Sequence, residues 1–269
     1  MIKKIVELIR EAQTKLPLEV ERALRKAYDS EENEIARLQL KNILENIKLA
    51  RELSLPICQD TGIPYFFVEL GKNKTKKEIE EAIIEGVKLA TGEIPLRPNV
   101  VSPLTRENSG NNVGYRMPII NWKFSDKSYT EIIYFPKGAG SENMSRLKML
   151  RPNESIEDFV LETVKKAQGN PCPPIIVGIG IGGSFDFSAK LAKEALIRDF
   201  SEHNGDENIA KLEERLLKKI NSLGIGPMGV GGKTTCLKVS IEVASCHTAS
   251  LPVAVNLQCW AHRIAKMKI

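Results

Sequence analysis

Residues 175–184 read Ile-Ile-Val-Gly-Ile-Gly-Ile-Gly-Gly-Ser, and the meaning of those glycines decides the fold. The β-branched apolar run predicts a strand over 175–181, and the apolar spacing from Ser188 to Phe200 predicts a helix after it. Gly178, Gly180 and Gly183 satisfy the G-x-G-x-x-G spacing of a dinucleotide-binding turn, in which a helix N-terminus receives a pyrophosphate. The rest of such a unit is missing. The helix runs into His203-Asn204-Gly205-Asp206 and a second helix over 209–223, where a mononucleotide-binding unit needs another strand ending in an acidic residue. Glycines here are equally suited to letting backbone pass close to a bulky group, since glycine removes the Cβ.

Working outward, residues 2–53 predict two or three amphipathic helices, with Ile5, Leu8 and Ile9, then Val20 to Leu24, then Ile35 to Leu49 at helical spacing, and Asp29 and Ser30 as caps. Tyr65 to Val68 predicts a strand and Lys76 to Ala90 a helix, followed by a polar, turn-rich stretch from Arg97 to Gly114. Tyr115 to Phe124 and Tyr129 to Phe135 predict two strands paired as a hairpin around Ser125-Asp126-Lys127. Lys137 to Asn143 predicts a loop and Ser155 to Gln168 a helix. Leu237 to Val243 and Val253 to Leu257 predict strands that bracket Cys246-His247-Thr248-Ala249-Ser250. Strands and helices do not alternate strictly, so the fold class is mixed α/β (α+β), with a helical N-terminal layer and short mixed sheets. A second glycine run, Gly226 to Thr234, resembles a phosphate loop but has Pro227 where that pattern needs a glycine.

Composition limits the function classes. A chain of 269 residues that is 42% hydrophobic buries a core without staples and suits one large domain or two small ones. The net charge of +5 is mild, its lysines alternate with glutamates, and no basic stripe is interleaved with aromatics, so no nucleic-acid partner is expected. No run of 18 uncharged apolar residues is present and the N-terminal stretch carries acidic residues, so no membrane partner and a cytoplasmic location are expected.

Five cysteines, without close pairing, argue against a disulfide framework. Cys236 lies in an apolar run and reads as a small core residue. Cys58, Cys172 and Cys259 lie instead in polar or proline-flanked segments, and Cys58 opens the run Cys58-Gln59-Asp60-Thr61-Gly62, which places a thiol beside an amide, a carboxylate and a hydroxyl. Paired C-x-x-C knuckles are absent, although Cys259 and His262 with Cys246 and His247 leave a zinc reading open. Three widely separated thiolates suit a 4Fe-4S cluster, in which they hold three irons and leave the fourth open.

The run CQDTG at Cys58, PLTRENSGNN from Pro103, KGAGSEN from Lys137, NPCPP followed by GIGIGG, GPMGVGGKTT and the terminal CHTASLPVAVNLQC together resemble the α subunit of class I iron-sulfur fumarate hydratases and L-tartrate dehydratases. The resemblance spans almost the whole chain, so one α-subunit domain over 1–269 with a helical segment over 1–53 is expected, its sheets built around an iron-sulfur site. It implies reversible hydration of fumarate to L-malate, or dehydration of a similar hydroxy-dicarboxylic acid. By similarity Cys58, Cys172 and Cys259 are the cluster ligands, Asp60 is the proton-transfer residue, and Gln59, Arg97, Gly140 and His247 hold a small dicarboxylic acid substrate. On their own terms, Arg97 also reads as a solvated loop residue and His247 as a core histidine.

Two departures stand out: Leu251 where longer relatives often have cysteine, and Ala139 where relatives commonly have glycine. Single-chain relatives continue into a second region, whereas this chain stops ten residues after Cys259. A separate β subunit in an α2β2 assembly is therefore expected. An L-tartrate dehydratase α subunit, and a nucleotide-binding or structural protein using the Gly178 to Gly183 loop, are the alternatives.

Overall fold

A computed structural model describes residues 1–269. The chain divides into two compact units, one formed by Met1–Pro17, Glu45–Gly138 and Arg263–Ile269, the other by Leu18–Leu44 and Ala139–His262.

The N-terminal segment is helical, as expected: α1 (Ile2–Thr14), α2 (Leu18–Ser30) and α3 (Glu34–Leu53). In α1 the buried residues Ile5, Leu8, Ile9 and Ala12 recur at three and four, so the helix turns one stripe inward. The expected caps do not act. Asp29 and Ser30 lie inside α2, Ser30 donates back to Ala27 O, and α3 is capped by Asn33, whose Oδ1 accepts from the amides of Ile35 (3.0 Å) and Ala36 (3.1 Å).

The first unit holds β1 (Tyr65–Leu70), α4 (Lys76–Glu93), β2 (Ile119–Phe124), β3 (Glu131–Tyr134) and, beyond the second unit's segment, β8 (Ala265–Lys268). Helix α4 starts at a capping box, with Thr75 and Glu78 satisfying each other's amides. The expected hairpin between β2 and β3 does not form. Strand order is β2-β1-β3-β8, with β1 parallel to β2 and antiparallel to β3. Strand β1 is buried at five of its six positions, which suits a central strand, and it inserts between the two strands that follow it. The β2–β3 connection must then cross the end of β1. Lys72 N donates to Lys127 O (2.9 Å) there, and a Cβ on Gly71 would collide with Tyr129 O, so glycine makes the crossing possible.

The second unit holds α5 (Ala139–Glu142), β4 (Arg146–Leu150), α6 (Ile156–Ala167), β5 (Ile175–Gly183), α7 (Phe185–Ile197), α8 (Glu207–Asn221), β6 (Cys236–Cys246) and β7 (Leu251–Gln258). Two elements escaped the sequence. A single helical turn forms within the expected 137–143 loop, and β4 follows it. Strand order is β4-β7-β5-β6, with β5 parallel to β6 and antiparallel to β7, and β7 antiparallel to β4. This is the first unit's arrangement: a central strand, a parallel neighbour, an antiparallel neighbour on the other side, and an antiparallel edge. The edge strand follows the motif in the first unit and precedes it in the second. At the end of β5 the backbone of Gly182, φ +87°, lies close against Ala244 of the paired strand β6, where the register shifts between Ile181 and Gly183, and a Cβ there would collide with Ala244 O.

The glycines of residues 178–183 are therefore strand residues, not a phosphate turn. A Cβ on Gly178 would collide with Ala192 O and one on Gly180 with Ser188 O, so these glycines let the backbone of α7 lie directly on β5. Ser184 spends its hydroxyl on Asp186 Oδ1 (2.6 Å), and the Asp186 carboxylate occupies the first turn of α7, where a phosphate would have to sit. That removes the nucleotide reading of this stretch. The Gly226 to Thr234 run leads into β6 rather than a helix, and Lys233 is held by Glu32 (2.5 Å) while its amide donates to Glu31 Oε2 (2.7 Å).

Candidate active site

In the first unit the Cys58 to Gly62 loop joins α3 to β1, and each of its turns has a stated support. Gln13 on α1 donates from Nε2 to Thr61 O (2.8 Å), and Asn46 on α3 donates to Ile57 O (2.8 Å). Asp60 Oδ1 accepts from Gly62 N (2.9 Å), which turns the carboxylate back over its own loop. Gly62 has φ +76°, and Ile63 pairs with Lys137 through two backbone hydrogen bonds of 3.0 and 3.1 Å. The CQDTG and KGAGSEN runs, far apart in sequence, are thereby zipped together.

Thr61 Oγ1 donates to Arg97 O (3.2 Å), and Asn112 Nδ2 donates to the same carbonyl (3.1 Å). The Arg97 backbone is thus fixed while its guanidinium is exposed. Cys58, Gln59, Thr61 and Arg97, with Leu55, Pro56, Pro95 and Leu96, line an open cavity of about 650 Å³. Three of the residues picked from sequence, Cys58, Gln59 and Arg97, are brought together on one surface, with Asp60 in the same loop.

Sequence reading missed Asn99, Asn112, Gln13 and Arg263 as parts of this region. Asn99 Nδ2 donates to Gly62 O (3.1 Å) and Thr61 Oγ1 (3.3 Å), with a longer contact to Asp60 Oδ1 (3.5 Å), and Asn99 N donates to Asn112 Oδ1 (2.7 Å). The signal available was the density of asparagines in 99–112, which suits side chains that bond to backbone in irregular segments.

In the second unit Cys172 sits between Pro171 and Pro173 with φ 55°, a strained conformation for a non-glycine residue. Its carbonyl accepts from Trp260 N (3.2 Å), so the Cys172 segment is stitched to the residue after Cys259, just past the end of β7. Cys58, Cys172 and Cys259 are all half-exposed, whereas Cys236 is buried and burial pushes its thiol up to about 12. Thiols are soft donors of the kind that hold iron, and those of Cys58, Cys172, Cys259 and the exposed Cys246 are reachable whereas the core thiol is not. No group of three His, Cys, Asp or Glu side chains that could hold a metal ion is formed.

Gly140 is exposed on α5, and a Cβ there would meet only Asn170 O at an ordinary 3.5 Å. Its glycine is not demanded by packing within the unit. The turn that carries it is anchored by Glu142, which accepts from Lys193 (2.5 Å) and Asn256 (3.0 Å). His247 is exposed on the β6–β7 connection, which overturns the core-histidine reading. Its Nδ1 accepts from Ala249 N (3.1 Å), which leaves the ring proton on Nε2.

The ordered motifs thus fold into two such sheets and place thiols, a carboxylate and an exposed arginine on loops. The family described as "Fumarate hydratase (Fumerase)" matches residues 2–268, and this chain belongs to it. It is 57% identical to the "Putative L(+)-tartrate dehydratase subunit alpha" of Methanocaldococcus jannaschii, over 98% of this chain and 96% of that protein. It is 37% identical to the "Putative fumarate hydratase class I" of Geobacillus stearothermophilus, over 98% of this chain but 54% of that longer protein. It is 34% identical to the "L(+)-tartrate dehydratase subunit alpha" of Escherichia coli strain K12, over 93% of this chain and 84% of that protein. No helix is long and apolar enough to cross a membrane.

Proposed function

We propose that this chain is the α subunit of an iron-sulfur fumarate hydratase, which interconverts fumarate and L-malate and is completed by a separate β subunit in an α2β2 assembly. The observation that carries this reading is the cavity that gathers Cys58, Gln59 and Arg97 around the CQDTG loop. A 4Fe-4S cluster held by Cys58, Cys172 and Cys259 would supply Lewis-acid chemistry for the oxygen that joins or leaves C2.

The remaining work falls to side chains. The C3 proton of malate is poorly acidic and needs a positioned base, the role given to Asp60. Arg97 offers a planar guanidinium that pairs bidentately with a carboxylate, and Gln59 an amide donor beside it. Gly140 leaves its amide approachable, and His247 presents an Nε2 donor to the substrate.

Anaerobic co-expression with a β chain, an iron and sulfide count, and rates on fumarate, L-malate and L(+)-tartrate test the reading. About four irons per αβ pair with fumarate hydration supports it. Protein lacking iron and sulfide, or full fumarase activity from this chain alone, would overturn it. The second reading, an L-tartrate dehydratase α subunit, draws on the 57% identical relative of that name, and faster turnover of L(+)-tartrate than of malate would favour it.

A further inference from the structure

Asn112 is buried, 3% exposed, beside a stretch that is exposed from Pro103 to Gly110. A primary amide held away from water is costly unless its donors and acceptor are met, so the partners of a buried asparagine define its purpose. Oδ1 accepts from Asn99 N (2.7 Å), and Nδ2 donates to Arg97 O (3.1 Å) and to Thr91 Oγ1 (3.2 Å) on α4. The backbone of Asn112 has φ +59°, a conformation that asparagine adopts more readily than most side chains.

These bonds converge on Arg97. Its carbonyl also accepts from Thr61 Oγ1 (3.2 Å), so it uses both lone pairs, one on Asn112 and one on the CQDTG loop. Asn99 Nδ2 returns to the same loop at Gly62 O (3.1 Å) and Thr61 Oγ1 (3.3 Å). On the other side Leu96 N donates to Thr91 O (3.1 Å), and Pro98 confines the residue before it to extended backbone. Residue 97 is therefore held from α4, from Asn112 and from the loop that carries Cys58 and Gln59, while its guanidinium stands exposed at the cavity those residues line.

We propose that Asn112 is a positioning residue: it fixes the backbone from which Arg97 reaches into the cavity, and so sets how tightly a substrate carboxylate is held. This rests on the reading of Arg97 as the group that pairs with that carboxylate. Bidentate pairing demands a narrow geometry, and a long side chain loses less freedom on binding when its backbone is already pinned. A surface arginine with no such task has no need of two buried donors on its carbonyl.

The test uses the αβ enzyme with its full iron complement and compares Asn112→Asp, Asn112→Gly, Thr61→Val, Thr61→Ser and Arg97→Lys. Turnover gives KM and kcat, and calorimetry gives the Kd of succinate, a dicarboxylate with no hydroxyl or double bond to react. Asn112→Asp keeps the acceptor for Asn99 N but sets a second oxygen against Arg97 O. Asn112→Gly keeps the positive φ and deletes all three bonds, so it carries the test where a buried carboxylate prevents folding. We expect either change to raise KM and the succinate Kd about tenfold, as for loss of part of a charge-assisted pair, with kcat changed less than about threefold. Thr61→Val should raise both constants and Thr61→Ser should recover most of that loss. Once Arg97→Lys is present, Asn112→Gly should add less than about threefold. Wild-type KM and Kd in Asn112→Gly would overturn the proposal, as would fully multiplicative losses in the double variant, or a fall in iron content or kcat at unchanged Kd. Wild-type KM and Kd in Arg97→Lys would instead overturn the reading of Arg97 on which the proposal rests.

Discussion

Gly62 and Lys137 touch backbone to backbone: a Cβ on Gly62 would lie 2.8 Å from Lys137 N and 2.9 Å from its carbonyl carbon. With φ +76° at Gly62, both conformation and space require glycine. Gly62→Ala should cost about 2 kcal/mol or more of stability, since strain at positive φ adds to displacement of the paired strand segment. Chemical denaturation of the isolated chain measures it, and a loss under about 0.5 kcal/mol, the scale of a neutral surface change, would show that the zipper yields without cost.

Gly180→Ala places a methyl into Ser188 O, where α7 rests on β5. The helix must lift from the sheet, at about 1–3 kcal/mol for overpacking. A lowered unfolding midpoint with unaltered iron content would confirm that this glycine serves packing alone.

Cys172→Ser and Cys236→Ser should separate cleanly. The first removes a reachable thiol, and iron content should fall to background. The second keeps a donor for Lys238 O, which Cys236 Sγ already contacts at 3.2 Å, so iron content should hold and stability fall by about 1–2 kcal/mol, the cost of burying a hydroxyl where a less polar thiol stood. Iron analysis after anaerobic reconstitution decides both.

Arg97→Lys keeps the charge and loses the planar fork. The backbone hydrogen bonds that fix residue 97 use its carbonyl and survive the change. We expect KM for the dicarboxylate to rise about tenfold, as for loss of part of a charge-assisted pair worth about 1.5–3 kcal/mol, with folding unaltered by circular dichroism.

Lys238 is nearly buried, and desolvation, with Arg198 nearby, holds its ammonium down to about 8 against an ordinary 10.5. Between those values the unfolded chain binds more protons than the folded one, so the cost of charging Lys238 is complete below about pH 8 and is relieved as pH rises towards 10.5. Stability relative to Lys238→Met should therefore improve with pH across that window. A flat difference between the two proteins would show that Lys238 is solvated as it unfolds and as it folds.

Much of the fold was legible. The stripe Ile5, Leu8, Ile9 gave α1, and the continuous apolar runs gave β1, β5 and β7, because burial on one helical face or on both faces of a strand leaves a periodic record. Short β4 and β8 were missed: β4 carries exposed Lys148 and Met149 and β8 exposed lysines, so neither has a pattern of its own. Of the site, the CQDTG loop and Arg97 were visible as residue types in turn-rich segments, while Gln13 and Arg263 looked like an ordinary helix glutamine and a terminal basic residue.

The sequence by itself determined the helices, the central strands, the order of motifs and the family they resemble, since each depends on neighbours along the chain. Tertiary structure alone decided that β1 and β5 insert between later strands, and that Gly71 lets the β2–β3 connection cross. It alone joined Gln13 to Arg263, 250 residues apart. Pairing across such distances is selected by which surfaces become buried together, and no local periodicity records it.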